Sequence, residues 1–229
     1  MTNNSKINKW KRWLNDHIEK EIIHLEKLRI VYLKIEEIVK SNNNLPDNNY
    51  FYFWFRSTYA SAAASAVRRQ TDTDCQCISL AKLLLEIMEA PHLISRQDYL
   101  NRKIGSNVMP GPIFEDDKKC SNAEFTSFAG KGEYLDHKII AADFDKIDRI
   151  ENPTIKRLVS FTDWFVAHHD KRQLNKKDEK PNYNELHQCI KNLVEIFEKY
   201  NQLVTGSDMP LLDKVQRKDL ERDIDIIFD

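Results

Sequence analysis

The 229-residue chain lacks several of the sequence features by which membrane proteins, exported proteins and metal-binding proteins are recognised. It holds only five glycines and four cysteines, and its 35 Lys and Arg against 36 Asp and Glu leave a formal net charge of −1. No apolar run approaches the roughly 20 residues that a membrane-spanning helix needs, and no export signal is visible. A nearly neutral chain has no overall field for polyanions, so any nucleic-acid site must be local. We therefore expect a cytoplasmic protein without membrane contact.

The cysteines do not form a metal-binding pattern. Only Cys75 and Cys77 are close in sequence, whereas Cys120 and Cys189 stand apart. Zinc sites usually add a second pair of Cys or His ligands at short spacing. We therefore expect all four thiols to be small buried hydrophobes, and we expect no metal and no cofactor.

Apolar residues recur every three or four positions through residues 6–40, 153–170 and 183–204, which is typical of amphipathic helices. Alanines favour a further helix over residues 50–70, and the large residues at its start, 50–55, are expected to pack in the core rather than to stack bases. Residues 71–74 offer N-caps for the next helix. Asn152-Pro153 and Gly206 are typical of a helix start and a helix end. The pattern predicts an all-α bundle of about five to seven helices.

Residues 105–136 interrupt this pattern. Four of the five glycines fall there, together with Pro110 and Pro112. This composition predicts a long loop or insertion, although a wrong element assignment would look the same. We expect one domain over residues 1–209, with 105–136 as its insertion and 210–229 as a C-terminal extension.

The segment with the clearest chemical character ends the predicted helix 153–170 and precedes a charged loop. It reads Thr162-Asp163-Trp164-Phe165-Val166-Ala167-His168-His169-Asp170. This segment resembles the HEPN signature, and the resemblance extends over about residues 150–206. Residues 68–72, Arg-Arg-Gln-Thr-Asp, more loosely resemble an abortive-infection subgroup of that family. The resemblance implies an all-helical domain, commonly dimeric, of the kind that often acts as a metal-independent ribonuclease or toxin in bacterial defence.

The match to the family's Arg-x4-6-His motif is incomplete. His168 corresponds to the family histidine and Asp163 to the polar residue after the arginine, but Thr162 stands where the arginine is expected. Arg157 precedes His168 by eleven residues, about 16 Å along a helix, which is too far to act on the same phosphate. The resemblance therefore implies His168 for proton transfer, with Asp163 in the site. The cation would be supplied by Arg68 or Arg69 from a packed neighbouring helix, or by a residue from across a dimer interface.

The remaining polar residues of the segment would contact RNA. These are His169, Lys171, Arg172, Lys176 and Lys177. Each group has a structural alternative: the histidine pair as a helix C-terminal cap, the basic residues as a solvated loop, and Arg68 and Arg69 in salt bridges with Asp72 or Asp74.

Two hypotheses for function remain open. In the first, the protein belongs to a defence or toxin–antitoxin system, either as a metal-independent endoribonuclease or as an inactive RNA-binding relative. It would act as a homodimer, with an antitoxin or another defence protein as an additional partner. In the second, it is a non-catalytic helical subunit that works through protein contacts. The placement of Arg68 and Arg69 relative to the end of helix 153–170 separates the two.

Overall fold

The computed structural model describes residues 3–41, 50–104, 112–163, 181–207, 211 and 217–228. In this part of the chain the regular structure is helical, and the one β-bridge is an isolated pairing of Ser95 with Tyr134. The prediction of an all-α helical bundle is therefore confirmed.

The structure describes the following helical elements in chain order. They are α1 (Asn3–Arg12), a π-helical turn (Trp13–Ile18), α2 (Glu19–Ser41), α3 (Tyr50–Gln70), α4 (Leu80–Glu89), a 3-10 turn (Pro91–Leu93), α5 (Arg96–Ile104), α6 (Pro112–Ala129), α7 (His137–Asp145), α8 (Pro153–Phe161), α9 (Tyr183–Thr205) and α10 (Arg217–Phe228). The first three elements run on without a break, so the long amphipathic helix predicted for residues 6–40 is confirmed.

Helix α9 packs against more of the bundle than its neighbours do, with contacts to α1, α2, α3, α5, α6 and α8. Its buried face includes Leu186, Ile190, Leu193 and Phe197, as the apolar period predicted. Each large apolar side chain moved out of water contributes about 1.5–3 kcal/mol, which makes this stripe a main source of stability. The helix starts at a capping box and ends at Gly206, whose φ of 78° suits glycine.

Helices α3 and α8 pack against each other and against α9. Small buried residues of α3, including Ala63 and Ala64, let the neighbouring backbones approach closely. Helix α8 starts as the sequence predicted, with the Asn152 side chain accepting hydrogen bonds from the amides of Thr154 and Ile155. The described part of the predicted helix 153–170 thus lies on α9, while residues 164–170 fall outside the described chain.

Helix α6 occupies most of the segment that was expected to be a loop. The glycines that suggested a loop lie at its ends, two before the helix and two after it. Pro112 takes the first helical position, where its missing N–H costs no hydrogen bond. Burial of Phe125 and Ala129 fixes the helix, and Arg96 donates to the Gly130 carbonyl at its end.

Two smaller predictions are also wrong. Residues 71–74 were expected to cap helix α4, but the cap is Ser79, whose hydroxyl accepts from the Lys82 amide. Residues 71–78 precede the helix and have turn or irregular backbone. Of the four cysteines only Cys189 is buried, whereas Cys75 and Cys120 are exposed. Cys75 lies in the turns before α4 and Cys120 on the solvent side of α6, and composition alone does not distinguish such positions from the core.

The aromatic start of α3 is not a core segment. Four side chains there are 58–89% exposed, namely Tyr50, Phe51, Phe53 and Trp54. The inner face of this part of the helix carries Tyr52, Phe55 and Tyr59, whose rings or hydroxyls meet α2. A helix can turn only about half of an unbroken aromatic run inward, so the rest stays in solvent.

Candidate functional site

The residues expected to form the site divide into two groups. Arg68, Arg69 and Asp163 belong to the described chain, at the end of α3 and directly after α8. His168, His169, Lys171, Arg172, Lys176 and Lys177 lie outside the described residues. The local geometry of the site therefore rests on the ends of α3 and α8.

Arg68 and Asp163 form an ion pair between these two helix ends. The Nε atom of Arg68 lies 2.7 Å from Oδ1 of Asp163, and the two side chains are 39% and 36% exposed. The sequence suggested Asp72 or Asp74 as the partner of Arg68, but Arg68 pairs with Asp163 instead. Asp72 pairs with Arg149 at 3.0 Å. The packing of α3 on α8 thus places a guanidinium beside the first acidic residue of the HEPN-like segment.

Arg69 faces another part of the molecule. Its Nη2 atom lies 2.8 Å from a carboxylate oxygen of Glu21 on α2. Consecutive residues of a helix point about 100° apart, so Arg68 and Arg69 face different neighbouring helices. Only Arg68 of this pair is placed next to Asp163.

Thr162 and Arg157 are both occupied by local contacts. Thr162 is 4% exposed, and its hydroxyl donates to the Leu158 carbonyl of its own helix at 2.9 Å. Arg157 forms an ion pair with Glu185 in the first turn of α9. The Arg157–Glu185 pair ties α8 to α9, and Arg68 is the cation that meets Asp163.

A second polar cluster, which sequence patterns did not reveal, surrounds Arg56 in the first half of α3. The guanidinium lies 4.6 Å from the ring centre of Tyr183 and 5.4 Å from that of Tyr52. Its Nε atom is 3.5 Å from Oε1 of Glu36 on α2. Stacking on aromatic faces is a typical use of arginine, and it orients the planar group.

Glu36 is the anion at the centre of this cluster. Burial acts to raise the pKa of the Glu36 carboxyl, but hydrogen bonds from Lys40, Tyr32 and Tyr52 outweigh burial and hold the pKa at about 2. Burial, helped by the hydrogen bond to Glu36, raises the pKa of Tyr52 to about 12. Burial lowers the pKa of nearby His187 to about 4. At neutral pH the cluster therefore holds an ionised Glu36 and a neutral His187.

A cavity of about 390 Å³ opens between α3, α8 and the start of α9. Its walls include Phe53, Arg56, Ala60, Ala64, Phe161 and Tyr183. A larger recess of about 700 Å³ lies on the other side of Arg56 and Tyr183, toward Glu36. The only sequence clue to these recesses was the aromatic run at the start of α3, which the sequence analysis assigned to the core.

Across the described residues, no group of three or more His, Cys, Asp and Glu side chains could hold a metal ion. No helix in the same part of the chain is long and apolar enough to cross a membrane.

An all-helical bundle that carries a polar segment at the end of α8 has the architecture that the HEPN resemblance implied. A family model described as AbiU2, HEPN_AbiU2, matches residues 7–223, so the chain belongs to the AbiU2 family of HEPN proteins. This match confirms the prediction of a HEPN-superfamily protein of the abortive-infection type. No curated protein and no solved structure matches the chain.

Proposed function

We propose that this protein is a metal-independent endoribonuclease of an abortive-infection defence system, with His168 as the proton-transfer group and Arg68 as the phosphate clamp. The observation that carries the proposal is the Arg68–Asp163 ion pair, because it brings a cation from α3 to the segment that contains the HEPN histidine. Arg69 was an equal candidate in sequence, but its contact with Glu21 on α2 argues against it.

The proposed reaction needs no water and no metal. His168 takes the proton of a ribose 2′-hydroxyl, and the 2′-oxygen attacks the adjacent phosphorus. The bond from phosphorus to the 5′-oxygen breaks, and the leaving oxygen takes up the proton that His168 removed, so His168 returns to its neutral form. The products are a 2′,3′-cyclic phosphate and a 5′-hydroxyl. Negative charge on the phosphate oxygens grows along this path, and a nearby guanidinium stabilises it.

The ion pair suits Arg68 for this role. A surface pair of this exposure contributes about 0–1 kcal/mol, so little is lost when the guanidinium also contacts a phosphate. The contact with Asp163 is made through Nε, and a guanidinium carries further donors on its two terminal nitrogens. Asp163 is then a positioning residue that orients Arg68.

A homodimer is part of the proposal. HEPN-like proteins commonly pair, and a two-fold interface would place two copies of His168 in one groove. Purified protein is expected to behave as a dimer in light scattering, and a monomer at high concentration would contradict this part.

The test is cleavage of mixed structured RNAs by purified protein in the presence of a chelator. His168→Ala and Arg68→Ala should each lower the cleavage rate by about 10²-fold or more, because proton transfer and charge stabilisation typically contribute that much. Arg69→Ala is the matched control: it removes the same side chain one residue away and should cleave like the parent.

Equal loss in Arg68→Ala and Arg69→Ala, with helical circular dichroism retained, would overturn the assignment of the clamp to Arg68. If the parent binds RNA but cleaves none, the buried Thr162 at the family's arginine position marks an RNA-binding member instead of an enzyme.

A further inference from the structure

The cavity between α3, α8 and the start of α9 is large enough for a small organic molecule. Its volume is about 390 Å³. Apolar cavities of about 150 Å³ already bind benzene, and pockets for small ligands usually measure roughly 300–1,000 Å³. The cavity therefore has room for two joined aromatic rings.

The walls of this cavity are mainly apolar. Phe53, Phe161 and Tyr183 contribute aromatic rings, and Ala60 contributes a small, half-buried side chain of α3. The other apolar residues of the lining are Ala64, Leu158, Pro181 and Leu186. Transfer of an aromatic ring from water to such walls is favourable, because apolar surface is removed from water on both sides.

Arg56 gives the cavity one charged wall. Among the described residues that line the cavity, Arg56 is the one with a charged side chain, and no Asp, Glu or Lys belongs to this lining. Ser57 and Asn182 add uncharged polar groups. An apolar pocket with a few polar groups on one side is the usual form of a small-molecule site.

The guanidinium of Arg56 is held in a fixed orientation. It lies 4.6 Å from the ring centre of Tyr183 and 5.4 Å from that of Tyr52. The hydroxyl of Tyr183 donates to the Arg56 carbonyl at 3.2 Å, which ties the start of α9 to α3. A ligand that binds this guanidinium therefore loses little affinity to the ordering of the arginine side chain.

Glu36 does not use up the donors of Arg56. The Nε atom of Arg56 lies 3.5 Å from Oε1 of Glu36, but within the described part of the chain this buried atom has no hydrogen-bond partner. Oε1 already accepts from Tyr32 and Tyr52, and Oε2 faces Lys40. One carboxylate is thus shared by two cations, so a positive charge remains. The guanidinium keeps donors for an acceptor in the cavity.

We propose that this cavity binds a small aromatic acid, with its rings among Phe53, Phe161 and Tyr183 and its acid group on Arg56. The planar fork of a guanidinium matches the paired oxygens of an acid group. A neutral apolar molecule would leave these donors unused, and a cationic molecule would meet the like charge of Arg56. This inference is independent of the proposed ribonuclease activity.

The test is a fluorescence titration with two matched dyes. Anilinonaphthalene sulfonate carries an acid group on its aromatic rings, and N-phenylnaphthylamine has the same rings without the acid. Both dyes fluoresce more strongly in apolar surroundings. The parent protein should bind each dye at one site per chain. It should bind the sulfonate about tenfold more tightly, because a hydrogen bond between charged groups contributes about that factor.

Arg56→Met tests the role of the guanidinium, because methionine keeps an unbranched apolar stem without the charge. This variant should bind the sulfonate about tenfold more weakly and the neutral dye as the parent does. Unchanged affinity for the neutral dye also shows that the cavity persists. Arg56→Lys keeps the charge but loses the planar fork, so its affinity for the sulfonate should be intermediate.

Ala60→Leu tests the cavity itself. The larger side chain occupies space that the rings need, so both dyes should bind about five- to 150-fold more weakly. Ala62→Leu is the matched control, since Ala62 is exposed on the same helix and does not belong to the described lining. Phe51→Ala is a second control: Phe51 is 58% exposed and is likewise not part of that lining. Both controls should bind the two dyes as the parent does.

Three results would overturn the inference. The first is a parent that binds neither dye at a single site. The second is equal affinity of the parent for the two dyes, or unchanged affinity for the sulfonate in Arg56→Met. The third is a loss of sulfonate affinity in Phe51→Ala as large as that in Arg56→Met, because the dye then lies on the exposed start of α3. None of these measurements involves RNA, so their failure leaves the proposed ribonuclease untouched.

Discussion

Replacement of Glu36 by glutamine tests whether the charge of Glu36 stabilises the polar cluster around Arg56. Tyr32 and Tyr52 donate hydrogen bonds of 2.6 and 2.5 Å to one Glu36 oxygen, and Lys40 Nζ lies 2.7 Å from the other. The Glu36 side chain is 12% exposed. The substitution Glu36→Gln keeps the shape of the side chain but removes the charge that these donors share.

The expected effect follows from the lowered pKa. A pKa of about 2 instead of 4.5 corresponds to at most about 3 kcal/mol of stability. Solvent screens part of this, because Lys40 is 74% exposed, so Glu36→Gln should cost about 1–2 kcal/mol at pH 7. The folded-state pKa lies below the unfolded one, so the stabilisation is complete above about pH 4.5 and is lost as the pH falls toward 2.

Urea unfolding of the parent and of Glu36→Gln at pH 7 and near pH 3 measures both the size and the pH dependence. The stability difference should shrink to about half or less at the lower pH, because the unfolded parent is then protonated at Glu36. Glu37→Gln is the control, since Glu37 is the next residue of α2 and is exposed. Equal stability of Glu36→Gln and the parent at pH 7, or a difference that does not change with pH, would refute the reasoning.

Two further predictions concern the supports of the site. Asn152→Ala should destabilise the protein by about 1–2 kcal/mol in urea unfolding, because it removes the cap of the α8 amides. Asn152→Asp keeps an oxygen that accepts from these amides but loses the side-chain N–H that donates to the carbonyls of Asp145 and Lys146, so its stability should fall between those of Asn152→Ala and the parent. Equal midpoints for Asn152→Ala and the parent would contradict this. Burial lowers the pKa of His187 to about 4, so an NMR titration should show its imidazole neutral down to about that pH. The accompanying stability is lost as the pH falls from about 6.5 toward 4, and a titration midpoint near 6.5 would disprove the burial argument.

The sequence predicted those helices whose apolar residues follow a clear period. Helix α9, the long first helix and the Asn152 cap all depend on local patterns of 3.6 residues or on cap chemistry, which the chain itself encodes. Helix α6 was not predicted, because the high glycine and proline content of segment 105–136 as a whole indicated a loop. The glycines in fact lie before and after the helix, where they mark its two ends.

Sequence patterns did not predict contacts between residues that are far apart in the chain. Arg68 and Asp163 are 95 positions apart, and no local pattern distinguishes this partner from Asp72 or Asp74. The aromatic run was likewise ambiguous, since an unbroken apolar stretch has no period and does not show which side of the helix faces solvent. Both features depend on how α3 is rotated against α2 and α8.

Small residues on α3 explain how an arginine from that helix reaches the end of α8. Ala64 is 1% exposed and lies one turn before Arg68, and Ala60 lies one turn before that. Side chains of this size let two helix backbones approach more closely than leucine-sized side chains would. The close approach brings the Arg68 guanidinium to Asp163, while Thr162 turns inward and bonds to its own helix. In this architecture the cation beside Asp163 therefore comes from the neighbouring helix α3, while residue 162 is a buried side chain of its own helix.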